Sequence, residues 1–164
     1  MTRRSDPARL LSPHTIEAPI NLFRNILAAI AGLVACMMTN GFLIALGPTV
    51  IPPPEGVNVQ DLESLRANIH LFEPKHFLFP LLAHAMGSLV GGSVAAAIAA
   101  TRKMTFALVI GSVHLLGGIA MAFLIPAPVW FVILDLGVAY LPAAWLGAKI
   151  TASLAGSRPS QRLA

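Results

Sequence analysis

Five ionisable or strongly polar residues lie inside long apolar runs: Asn40, His84, His114, Asp135 and Tyr140. Ionisable groups are costly in such runs, so each is a functional candidate from the outset. Asp and His together are the usual materials of an intramembrane proton relay. Two imidazoles and a carboxylate could instead hold a divalent metal, or two facing histidines could ligate a haem. No cofactor is predicted. A haem or divalent metal held by His84, His114 and Asp135 is kept as an alternative, with His70 and His76 as further outer ligands. The lone cysteine, Cys36, allows no intramolecular disulfide and no CxxC motif. No P-loop and no GxSxG is present, and the chain is expected not to be an enzyme. The glycine-rich stretch Gly87–Gly92 lies within an apolar run where a phosphate cannot reach.

The elements that must position these residues follow from composition. The 164-residue chain is 56% hydrophobic and 11% charged, against roughly 25% charged in a soluble domain. So short a chain cannot enclose that much apolar material, so it must face lipid. Four apolar runs, about 21–46, 76–100, 104–125 and 128–150, each match the roughly 20 residues that cross a bilayer as a helix. Backbone polar groups in lipid are satisfied only within a helix or a closed barrel, and the alternating ten-residue segments of a barrel are absent. The fold class is therefore an all-α integral membrane protein, a four-transmembrane-helix bundle. Thr101-Arg102-Lys103 makes a tight turn between the second and third runs. Pro126-Ala127-Pro128 separates the third from the fourth, and Gly47-Pro48 closes the first.

Outside the spans, residues 1–20 and 151–164 read as cytoplasmic tails, the first flexible and the second basic. The outer loop, 47–75, holds the run Pro52-Pro53-Pro54. After it, Asn58 with Asp61 three residues on resembles a helix N-cap. Leu62, Leu65, Ile69 and Phe72 form one apolar stripe, the mark of a short amphipathic helix on the membrane surface or over the bundle mouth.

Lys and Arg set the orientation. Arg3, Arg4, Arg9, Arg24, Arg102, Lys103, Lys149, Arg158 and Arg162 fall on one side, and only Arg66 and Lys75 on the other. The positive-inside rule places both termini in the cytoplasm. The first run is too long for the core of a cleaved signal peptide. Because the basic residues flank apolar runs, the net charge of +4 implies orientation and not nucleic-acid binding.

At 1.5 Å per residue, Asn40, His84 and Asp135 lie about 9, 12 and 10 Å below the outer ends of their runs, and His114 about 16 Å. Each belongs to a stripe of small residues. Asn25, Ala29, Gly32, Cys36 and Asn40 share a face of the first span. Pro80, His84, Gly87, Gly91 and Ala95 share one on the second, Gly111, His114 and Gly118 on the third, and Asp135, Ala139 and Pro142 on the fourth. Small residues let helix backbones approach closely, so these stripes turn the polar groups into the bundle. Tyr140 falls about 140° from Asp135 on a regular helix and is set apart from the cluster. Pro80 and Pro142 are expected to kink spans two and four beside it.

The stretches His70-Leu-Phe-Glu-Pro-Lys-His-Phe77, Ala83-His84-Ala-Met-Gly87, Pro126-x-Pro-x-Trp-Phe, Asp135-Leu and Ala139-Tyr-Leu-Pro142-Ala-Ala-Trp145-Leu-Gly147 resemble a group of small four-span bacterial membrane proteins. The resemblance implies a bacterial inner-membrane location and the four-span layout, and it brings no activity, substrate or cofactor. The first functional reading is an accessory or scaffold subunit that contacts the lipid bilayer and a membrane-protein partner or a second copy of itself. The alternatives are a proton-coupled small-solute transporter or channel component, and a haem or metal carrier.

Overall fold

The computed structural model describes the backbone of residues 13–157 and the side chains from residue 18 onward. Within that range the chain is helical, without strands. The elements are α1 (Pro13–Val50), α2 (Leu62–Asn68), α3 (Leu78–Ile98), α4 (Lys103–Leu124), α5 (Val129–Val138) and α6 (Leu141–Gly156), with 3-10 turns at Ile69–Leu71 and Pro74–Phe77. Four segments are long and apolar enough to cross a membrane: Ala18–Val50, Pro74–Ile98, Lys103–Leu124 and Val129–Gly156.

Several boundaries depart from the sequence reading. Residues 13–20, read as tail, belong to α1, and residues 1–12 lie outside the described range. Gly47-Pro48 does not end the first helix, which runs on to Val50. Pro48 lies close to the C-terminal end of α1, where the carbonyl it leaves unbonded is near the helix end. The glycine serves contact, since a Cβ there would stand 2.9 Å from Phe79 Cβ. Residues 151–156 likewise continue α6, and residues 158–164 lie outside the described range. Pro80 sits in the first turn of α3, so it removes no helical hydrogen bond and needs no kink.

The described core is built from small side chains. Ala28, Ala83, Ala95, Ala107, Ala139 and Ala144 are fully buried, while Phe23, Ile30, Met38 and Phe42 of α1 are more than half exposed. Large apolar groups outside and small ones inside suit a lipid environment, where close packing replaces the hydrophobic drive between helices. Gly32 meets Gly91 and Ala95, and Gly87 meets Cys36 and Asn40, so α1 and α3 run antiparallel. Gly111 meets Ala144, and Gly92 also meets Ala144, so α6 packs against both α3 and α4. The helix α3 thus lies between α1 on one side and the α4–α6 pair on the other.

The α3–α4 turn is tied to α1. Ala100 N–H donates to Asn25 Oδ1 at 3.0 Å, and Asn25 Nδ2 donates to Thr101 Oγ1 at 3.0 Å. Arg24 Nη2 donates to the Ile98 carbonyl at 3.1 Å, placing a cation at a helix C-terminus. The next residue, Arg102, takes a left-handed conformation, φ 47°, uncommon for a non-glycine residue. Asn25→Leu is expected to cost about 1–3 kcal/mol, because Ala100 N–H loses its acceptor. Reversible unfolding in detergent measures it, and a loss below about 0.5 kcal/mol would show that water replaces the side chain.

In the loop between the first two spans, α2 is capped by Asp61, whose Oδ1 accepts from Glu63 N–H at 3.1 Å. Asn58, the expected cap, instead accepts from Gln60 N–H at 3.0 Å and forms the turn before the helix. Leu65, Ile69 and Phe72 pack with Phe77, Leu81, Ile125 and Phe131, while Leu62 stays largely exposed. His76 Nδ1 accepts from Glu73 N–H at 2.9 Å, which leaves Nε2–H to donate to the Pro52 carbonyl at 3.2 Å. That bridge pins the proline run to the start of α3.

Candidate functional site

The fourth span is broken, and the break makes the site. Pro142 has no N–H for the Val138 carbonyl, and its ring would clash with that carbonyl in a continuous helix. Helical pairing ends at the Ala139 N–H, which donates to the Asp135 carbonyl at 3.0 Å; the chain then passes Tyr140 (φ −110°, ψ −79°) and starts again at Leu141 with the proline in the first turn. The 100° step per residue does not hold across such a joint. Tyr140, set apart from Asp135 by that step, therefore turns onto the same side. Its ring is fully buried.

Asp135 accepts two hydrogen bonds. His84 Nδ1–H donates to Oδ1 at 2.8 Å, and Tyr140 O–H donates to Oδ2 at 2.8 Å. His84 Nδ1 also lies 2.9 Å from Tyr140 Oη, so its hydrogen is shared between carboxylate and phenol. The imidazole and the phenol ring stack at 5.3 Å. Asp135 is 4% exposed, and a carboxylate so placed persists only when paired. With Nδ1 donating, the imidazole in its neutral form keeps Nε2 as an acceptor.

His114 forms a second group. Its Nδ1 lies 2.9 Å from Ser88 Oγ and 3.3 Å from Cys36 Sγ, all three residues being buried. The two imidazoles meet edge to face at 5.8 Å, and His114 also meets the Tyr140 ring edge to face at 5.0 Å. Asn40 joins neither group. Its Oδ1 is buried without a hydrogen-bond partner.

Beside these groups lies a cavity of about 410 Å3 between α1 and α4. Asn40, His84, His114 and Tyr140 provide its polar lining, and Leu33, Met37, Val113 and Met121 the apolar part. Gly117 and Gly118 complete the wall.

Of the residues singled out from sequence, His84 and Asp135 are hydrogen-bonded to each other, His114 touches the His84 ring, and Asn40 lines the shared cavity. Gly32, Gly87, Gly91, Gly111 and Gly118 lie at helix contacts. Gly118 leaves room for the Tyr140 hydroxyl, which would collide with a Cβ at that position. Tyr140, set apart from the cluster on the face count, belongs to it, and Ser88 was not among the candidates. Pro142 was the available signal for Tyr140, because a proline that interrupts a helix also interrupts the face count. Ser88 left no signal beyond its small size.

The metal and haem alternatives gain no donor set. Among the described residues no three His, Cys, Asp or Glu side chains converge as a metal-binding group. Two axial histidines would need to face one iron across a macrocycle, whereas these rings touch edge to face.

Compared with family models, curated proteins and solved structures, the chain matches none. The functional reading therefore rests on the geometry alone.

Proposed function

We propose that this chain is a component of a small-solute transporter or channel of the bacterial inner membrane, and that Asp135, His84 and Tyr140 take up and release a proton during its cycle. The buried hydrogen-bonded group of carboxylate, imidazole and phenol, set against a cavity between the spans, carries this reading. Such a group can bind a proton and spreads the charge left after its release over two hydrogen bonds. The termini are assigned to the cytoplasm. Arg24, Arg102, Lys103 and Lys149 lie towards one end of the bundle and Arg66 and Lys75 towards the other, the bias that orients membrane proteins.

An accessory or scaffold subunit would use the same residues as interhelical glue. Glue accounts for the Ser88–His114 pair. It does not account for an unpartnered Asn40 Oδ1 or for a cavity against His84.

Proteoliposomes containing a pH-sensitive dye and given a potassium diffusion potential test the proposal. The wild-type protein is expected to pass protons, and Asp135→Asn to reduce the flux roughly tenfold or more. Asparagine keeps the shape but cannot carry the proton, and its amide nitrogen donates where one carboxylate oxygen accepted. A folded Asp135→Asn protein with unchanged flux removes the proposal.

A further inference from the structure

The cavity between α1 and α4 specifies the kind of molecule it would take. Its opening is lined by Met37, Val113 and Met121, which are 43%, 45% and 45% exposed on the outer surface of the helices. By the span assignment those surfaces face lipid. The loop cluster of Ile69, Phe77 and Phe131 shares no residue with the cavity lining. Access is thus lateral, from the bilayer, and suits a molecule that already partitions there. A volume of about 410 Å3 falls in the range that holds small organic ligands, about 300–1,000 Å3.

The polar lining narrows the chemistry. His84 Nδ1 is occupied by Asp135 and Tyr140, and no described residue bonds its Nε2, which is therefore a free acceptor. The Asn40 amide buries its Oδ1 and leaves Nδ2, a donor, with no partner among the described residues. A hydroxyl answers both, since it donates one hydrogen and accepts another. A ketone or ether would leave His84 Nε2 without a donor. The remaining walls favour a ring. Two methionine thioethers flank the cavity, and sulfur packs well against aromatic edges. The His114 ring adds an aromatic group on the polar side.

We infer that this cavity binds a lipid-soluble phenol or hydroquinone, its hydroxyl donating to His84 Nε2 and accepting from Asn40 Nδ2. The inference rests on the proton-exchanging reading of the cluster, and it names the molecule that would meet it. Asp135 then acts through His84 as a positioning residue, fixing the tautomer that accepts.

The experiment uses the full chain in lipid nanodiscs and a 4-alkylphenol carrying a diazirine on its alkyl chain. Saturable photolabelling is expected on the peptides that contain Met37 and Met121. The non-labelling phenol should compete, and its methyl ether should compete roughly tenfold less or worse, because the ether cannot donate to His84. Gly117→Leu grows a side chain into open space at the cavity wall, where nothing lies within 4 Å of a Cβ. It is expected to abolish the saturable labelling in a protein that still folds. Labelling spread over all lipid-facing helices, equal competition by the ether, or unchanged labelling of Gly117→Leu each overturns the inference. Proton flux measured on the same preparations separates it from the proposed function. Asp135-dependent flux without phenol binding sinks the ligand alone, and phenol binding with Asp135-independent flux sinks the proton role alone.

Discussion

Gly147→Ala is expected to destabilise the folded protein by about 3 kcal/mol or more, a large loss for one added methyl group. The Cβ would collide with the Leu89 carbonyl oxygen and would stand 2.7 Å from Ser93 Oγ and 3.1 Å from Ser93 N. Two of those three atoms are backbone, so no side-chain rotation relieves the clash and α3 and α6 must part. Parting them also loosens Thr151 Oγ1 from the Ser93 carbonyl, now 3.3 Å away, and the contact between Ala96 and Ala148. Gly137→Ala is the matched control. Nothing lies within 4 Å of its Cβ, and the helix propensity of alanine should leave stability unchanged or raise it by up to about 1 kcal/mol. Unfolding of the two variants side by side in one detergent decides the matter. Equal stabilities would mean that α3 and α6 are not in the contact described.

Gly118→Ala is expected to disable the site with a single methyl group, while Gly117→Ala leaves it intact. A Cβ on Gly118 would overlap the Tyr140 hydroxyl and stand 2.5 Å from Cζ, whereas at Gly117 it would meet nothing within 4 Å. The Tyr140 ring is enclosed and can yield only by withdrawing its hydroxyl from Asp135 Oδ2 and His84 Nδ1. Each buried polar group left without its partner costs about 1–3 kcal/mol. The loss is measured as stability in detergent and as proton flux in liposomes. Tyr140→Phe removes the same two hydrogen bonds without a clash. The double variant of Gly118→Ala with Tyr140→Phe should therefore lose little more flux than either change alone, the non-additivity of residues acting as a unit. If Gly118→Ala and Gly117→Ala pass protons equally, Tyr140 has no part in the proton path.

How much of the site was legible can be argued from the individual residues. Asp135 and His84 stood out because a carboxylate or an imidazole in a long apolar run is visible by type alone. Their pairing required two helices that share no local sequence, and the small-residue faces carrying Gly87, Gly91 and Ala139 pointed the right way. Tyr140 was misjudged because the face count assumed one regular helix through Pro142. The proline marked a break but gave no indication of how far the backbone would turn. The loop offers a parallel case. Asn58 and Asp61 are both good capping residues, and Asp61 caps because α2 begins where Leu65 and Ile69 can reach Phe77 and Phe131. That condition is tertiary.

By itself, the sequence determined four apolar helices, the short joints between the last three, and the small-residue faces on which they meet. All of these follow from one local requirement: a backbone in hydrocarbon must bond to itself, and only small side chains let two such backbones approach. The tertiary structure decided which polar atoms face one another. It placed α3 between α1 and the α4–α6 pair, turned Tyr140 across the break onto His84 and Asp135, and left a cavity between α1 and α4. Those outcomes depend on where one helix ends against another, and a shift of about 100° per residue along any of them would disperse the group.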